Sequence, residues 1–164
     1  MGVRKLLRFT ITSKDAYIFE WQKENDTMAL ETFSFCGKEP PRPELKSAAK
    51  DVAKIAAKMV GLSVTDSEAN DGAAFLGVKF SYPETHDKYY LRIHASQAIQ
   101  GGHDFIYTTP KWSVFYSSAN GEMNNTIRNT VHKLLEECWK YIDGERAQTK
   151  LSFAQQEEGD DHDS

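Results

Sequence analysis

From Lys5 to Phe35 apolar and polar side chains alternate with a period of two. Leu7, Phe9 and Ile11 alternate with Arg8, Thr10 and Thr12, and Tyr17, Phe19 and Trp21 with Glu20 and Gln22. Successive side chains of an extended chain point to opposite faces, so this spacing predicts strands with one buried side. Turn chemistry at Ser13-Lys14-Asp15 and Glu24-Asn25-Asp26 separates the runs, and a third run from Met28 to Phe35 completes an antiparallel meander. Phe33 and Phe35 share one face of that last run, so another element must cover it.

Pro40-Pro41-Arg42-Pro43 ends the alternation, and Pro43 suits a first helical position, where its missing N–H has no partner to lose. The period then becomes helical. Leu45, Ala49, Val52, Ile55, Ala56 and Met59 form one stripe between Glu44 and Val60, and Gly61 supplies a stop. Lys46, Lys50, Lys54 and Lys58 recur every four residues on the other side. Thr65 to Gly72 reads as a polar loop. Ala74 to Tyr82 reads as a strand with Leu76, Val78 and Phe80 inward. After a connection at Pro83–Asp87, Tyr89 to Ser96 returns with Leu91 and Ile93 inward. The outer side of this hairpin gathers Lys79, Ser81, Tyr90, Arg92, His94 and Ser96.

Phe105 to Trp112 reads as an edge strand ended by proline, because proline cannot donate to a sheet ladder. Asn120 is a candidate cap for a last helix, Glu122 to Asp143, that buries Ile127, Val131, Leu134, Leu135, Cys138, Tyr141 and Ile142 and ends at Gly144. The expected fold is α+β: an antiparallel sheet of five or six strands with two amphipathic helices packed on it. Residues 1–144 would form this domain, and residues 145–164 a flexible acidic tail.

Composition changes the picture in three places. At 164 residues and 40% hydrophobic the chain can build one core without staples. The net charge of -4 owes much to Glu157, Glu158, Asp160, Asp161 and Asp163 in the tail. Without them the body is near neutral to slightly basic, which leaves an acidic partner open. Cys36 and Cys138 form no Cys-x-x-Cys pair, so the expectation is two small buried thiols in a reducing compartment rather than a zinc ribbon or a disulfide framework. No apolar run has the length of a membrane helix, and Arg4, Lys5 and Arg8 interrupt the amino-terminal one, so no membrane association is expected and a cytoplasmic protein is.

The motifs for chemistry are incomplete. His86-Asp87 and His103-Asp104 lack further ligands at helical spacing, and Gly101-Gly102 opens no phosphate-binding loop, so neither a metal nor another cofactor is expected. His94-Ala95-Ser96 resembles one half of the two-histidine phosphoesterase pattern, His-x-Ser/Thr on a strand. The second half is missing, and a small phosphoesterase around His94 and His103 is the third reading. The second is direct binding of nucleic acid or a nucleotide. It would use either the Lys46, Lys50, Lys54 and Lys58 row, tracking phosphates, or stacking on Tyr90 beside Arg92 and His94. The plain alternative for both surfaces is a solvated face.

Beyond the last helix, Gln148, Leu151 and Phe153 stand in the pattern Gln-x-x-Leu-x-Phe. This resembles the hexapeptide with which bacterial polymerases and repair factors dock onto the sliding clamp. The resemblance implies an orienting hydrogen bond from Gln148 and a hydrophobic pocket filled by Leu151 and Phe153. Thr149 departs from it, standing where such peptides often carry leucine. The leading expectation is therefore a non-catalytic interaction protein that binds the bacterial sliding clamp or another replication protein. In style the chain resembles the small accessory proteins with which bacteriophages modulate host machinery. The competing possibility is that Leu151 and Phe153 fold back onto the domain's own core.

Overall fold

The computed structural model describes residues 4–62, 65–99 and 102–146. The alternating runs form a meander of β1 (Lys5–Ile11), β2 (Tyr17–Glu24) and β3 (Leu30–Gly37). A helix, α1 (Pro43–Met59), and a shorter one, α2 (Asp66–Gly72), lead to β4 (Ala73–Ser81) and the long β5 (Lys88–Ile99). Then come β6 (His103–Thr108), β7 (Trp112–Phe115) and the final helix α3 (Glu122–Ile142). The sheet is antiparallel, in the order β3-β2-β1-β4-β5-β6, and β7 pairs with β5. The α+β class with two amphipathic helices on an antiparallel sheet is the one expected.

The core lies on one face only. Phe9 and Phe19 stack with ring centroids 4.8 Å apart, and Phe75 joins Phe9 at 5.4 Å. Over this aromatic layer α1 lays Leu45, Ala49, Val52, Ile55 and Ala56, all buried. Its alanines, including Ala48, Ala53 and Ala57, let the helix sit close to the sheet and to α3. The other helix, α3, runs from β7, where the Asn124 amide exchanges hydrogen bonds with the Phe115 backbone, to β2 and β3, where Tyr141 packs on Phe19 and Phe35. Arg4 on the amino-terminal side of β1 makes a bidentate pair with Asp143 just after α3, at 2.7 and 3.0 Å.

Six local expectations are corrected. Residues 66–72 are helical rather than loop: the Thr65 hydroxyl accepts from the Glu68 amide and Glu68 accepts from the Thr65 amide, a reciprocal cap that stabilises a turn lacking any apolar stripe. The Gln97 side chain, fully buried in β5, donates to the Glu68 carbonyl at 3.0 Å and docks this helix on the sheet. Leu76 is not inward. A bulge between Phe75 and Gly77 shifts the alternation, burying Phe75 and turning Leu76 to the open side. A similar irregularity between Leu6 and Arg8 buries Leu6 in place of Leu7.

The predicted edge strand over 105–112 is two strands, because Pro110 interrupts the ladder and both pieces pair with different halves of β5. Thr109 bridges the gap, its amide donating to the Ile93 carbonyl and its hydroxyl accepting from the Ile93 amide. Gly121, at φ 98°, holds the cap position of α3, and Asn120 lies in the 3-10 turn before it. Of the cysteines, Cys138 is buried with its thiol pushed well up by desolvation, whereas Cys36 is exposed on the edge strand.

Gly37 marks the tightest point of this packing. A Cβ there would lie 2.7 Å from Cε1 of Tyr141, whose hydroxyl is held by the Glu39 carbonyl at 2.7 Å. Gly37→Ala is expected to lower unfolding stability by about 1–3 kcal/mol, read as a drop in the urea midpoint. The Arg4 guanidinium hydrogen-bonds Asp143 and lowers its pKa, so this pair stabilises the fold above the ordinary carboxylate range and its contribution is lost as pH falls through the lowered value. Asp143→Asn is accordingly expected to lower stability at neutral pH and to match the parent in strong acid, as measured by thermal melts across pH.

Candidate nucleic-acid interface

Because α1 and α3 cover one side of the sheet, every residue that alternates away from them stands on a surface of its own. The strand register lines these residues up across five strands. One row reads Ser34, Glu20, Arg8, Lys79, Arg92, each the direct partner of the next. Three cations on adjacent strands thus stand side by side. One carboxylate meets them, Glu20, whose Oε2 is 3.5 Å from Arg8, a partly exposed pair of little energetic weight. Among the described residues Lys79 and Arg92 have no carboxylate at ion-pair distance.

The neighbouring row reads Cys36, Ile18, Thr10, Gly77, His94, Thr108. Gly77 carries no side chain, and a groove of about 270 Å³ opens over it between Arg8, Lys79, Arg92 and His94. A Cβ at this position would come within 3.3 Å of the Phe9 carbonyl oxygen. His94 Nδ1 lies 2.9 Å from the Thr108 hydroxyl and 3.2 Å from the Tyr107 carbonyl. These two contacts engage Nδ1 and leave Nε2 for other partners.

On the opposite side of the cation row, Tyr90 pairs with Ser81 and Ser113. Lys111 Nζ lies 4.3 Å from the Tyr90 ring centroid, and Lys88 Nζ lies 5.3 Å from both Tyr90 and Phe115. The open face thus carries five cations around two aromatic rings and a histidine. Such a surface attracts phosphates electrostatically and offers bases an aromatic side to stack on, without reading their edges.

Of the residues singled out in the sequence, Tyr90, Arg92 and His94 come together on this face. Lys46, Lys50, Lys54 and Lys58 do not join them, because α1 packs its alanine-rich side on the core and turns the lysines to the far side of the domain. Lys54 there is 3.7 Å from Asp51. His103 opens β6 opposite Ile99, five residues along β5 from His94, so the two histidines do not converge. Among the described residues no three His, Cys, Asp or Glu side chains are grouped to hold a metal ion. No helix is long and apolar enough to cross a membrane among those residues. Gln148, Leu151 and Phe153 lie outside the described residues.

Arg8, Lys88, Lys111 and Phe115 were not legible as site residues. Alternation alone puts Arg8 outward, but only the register sets it beside Lys79. Compared with protein-family models, curated proteins and solved structures, the chain gives no match. What the face does follows from its own side chains.

Like charges directly opposite each other across an antiparallel pair destabilise it. Lys79→Gln is therefore expected to raise the stability of the ligand-free protein by about 0.2–1 kcal/mol in low salt, and by less in high salt. A urea titration at two ionic strengths checks this, and a loss of stability would show that the cations are not in conflict.

Proposed function

We propose that this chain is an interaction protein of nucleic-acid metabolism whose open sheet face holds single-stranded nucleic acid without sequence preference. The observation that carries the reading is the Arg8–Lys79–Arg92 row, three cations in direct register with one carboxylate among them. A surface of that kind is unfavourable on its own and becomes favourable when phosphates replace the missing counter-charge. Tyr90 and Phe115, with Lys88 between them, supply the stacking component.

A second contact is supported by the Gln148, Leu151 and Phe153 spacing, which would dock the protein onto a bacterial sliding clamp or another replication partner. The two functions are compatible, since one uses the sheet and the other the tail. Both belong to the cytoplasm, and the protein is assigned there on that ground.

Fluorescence anisotropy with a labelled single strand of ~20 nucleotides separates the surfaces. Lys79→Gln with Arg92→Gln is expected to weaken binding about tenfold or more in low salt and to flatten the slope of log K against log salt by about 1.4. Lys50→Gln with Lys54→Gln should leave both unchanged. Binding that survives the first pair, or that disappears with the second, moves the site off this face. Deletion from Gln148 onward should abolish capture by a purified clamp and spare oligonucleotide retention; capture that persists removes the docking reading.

A further inference from the structure

A second concavity, of about 620 Å³, lies where the start of β1 and the β4–β5 end of the sheet meet the side of α3. Its volume is in the range of small-ligand sites. Tyr89 forms the floor, almost fully buried, with the Tyr116 ring centroid 5.4 Å away and that of Tyr82 at 6.4 Å. Tyr82 is fixed by donating to the Leu6 carbonyl at 2.7 Å, whereas Tyr116 is half exposed at the mouth. Burial raises the pKa of the Tyr89 and Tyr116 hydroxyls, so both remain protonated donors through the physiological range.

The charged side chains that line the concavity are all basic: Arg4, Lys5 and Arg128, together with His132, which lies 3.1 Å from the Glu136 carboxylate outside the lining. Arg4 is engaged with Asp143 and lies 4.4 Å over the Trp139 ring. Lys5 and Arg128 are differently placed. Lys5 Nζ rests 5.2 Å from the Tyr82 ring centroid, and Arg128 donates to the Tyr116 carbonyl at 3.0 Å. Among the described residues neither has a carboxylate at ion-pair distance. An aromatic floor with donors and uncompensated positive charge at its rim suits a planar ring that carries a phosphate.

We propose that this cleft is a mononucleotide site, the base lying against Tyr89 and Tyr116 and the phosphate held by Lys5 and Arg128. It shares no side chain with the Arg8–Lys79–Arg92 row, so it stands or falls separately from the oligonucleotide reading.

Trp139 lines the cleft and reports on it. Titrating the full chain with AMP, adenosine and inorganic phosphate, followed by tryptophan fluorescence and by calorimetry, tests the proposal. AMP is expected to saturate below millimolar concentration and to bind at least about tenfold more tightly than adenosine or phosphate alone. Arg128→Gln and Tyr116→Ala should each weaken AMP by about tenfold while leaving single-strand binding and the thermal melt close to the parent's. Lys5→Gln gives a second test of the phosphate contact that leaves Arg128 and its hydrogen bond in place. Failure of AMP to saturate at millimolar concentration overturns the site. So does AMP binding that none of the three substitutions weakens, and adenosine binding equal to that of AMP overturns its phosphate half.

Discussion

One constraint organises the molecule: both long helices lie on the same side of a single antiparallel sheet. Burying Phe9, Phe19, Val78, Leu91 and Ile93 under α1 and α3 fixes the orientation of every strand. With a side-chain period of two, the residues between them must then face away from the core. Arg8, Lys79, Arg92 and Tyr90 hold their positions because the aromatic and aliphatic layer beneath them allows no slip of register. A one-residue shift in β4 would place Lys79 in the core and Val78 in water. The hydrophobic layer thus aligns the polar one, and the proposed site is as rigid as the sheet itself.

That rigidity has a cost in charge repulsion. Repeated lysines on a helix can swing apart on long flexible stems, and in α1 Lys46 and Lys58 are exposed while Lys50 and Lys54 are half-buried, Lys54 lying 3.7 Å from Asp51. Cations in register on adjacent strands are held a few ångströms apart at the backbone, so their repulsion is built in. Several other cations are paired: Arg4 with Asp143, Arg42 with Glu44 and Glu137, and Lys140 with Glu137. What sets the Arg8–Lys79–Arg92 row apart is that its cations are direct cross-strand partners, and that juxtaposition is the reason to regard the open face as a place where something anionic completes the balance.

Much of the fold was legible because periodicity reports burial directly. The meander, the amphipathic stripe of α1 and the long final helix follow from spacing alone. The failures share a cause. A bulge costs one residue of phase and leaves no mark in an apolar run, so Leu76 was assigned the inward position that Phe75 holds. The α2 turn is held by two side-chain caps rather than by an apolar face, and a Thr-x-x-Glu spacing within a polar stretch is easily taken for a loop. At the site, alternation placed Tyr90, Arg92 and His94 outward together. It could not bring in Arg8 or Lys111, because cross-strand neighbours are set by register and by a connection through Pro110. The cleft beside α3 is less legible still, since it draws Lys5, Tyr89 and Arg128 from three distant parts of the chain.

Amide chemical-shift mapping of the full-length protein during titration with a single-stranded oligonucleotide tests the central claim most directly. The expected result is a set of perturbations on β1, β4 and β5 centred on Arg8, Lys79 and Arg92, fading as salt is raised, with α1 silent. Perturbations along Lys46, Lys50, Lys54 and Lys58 with a silent sheet, or none at all at low salt, would contradict it.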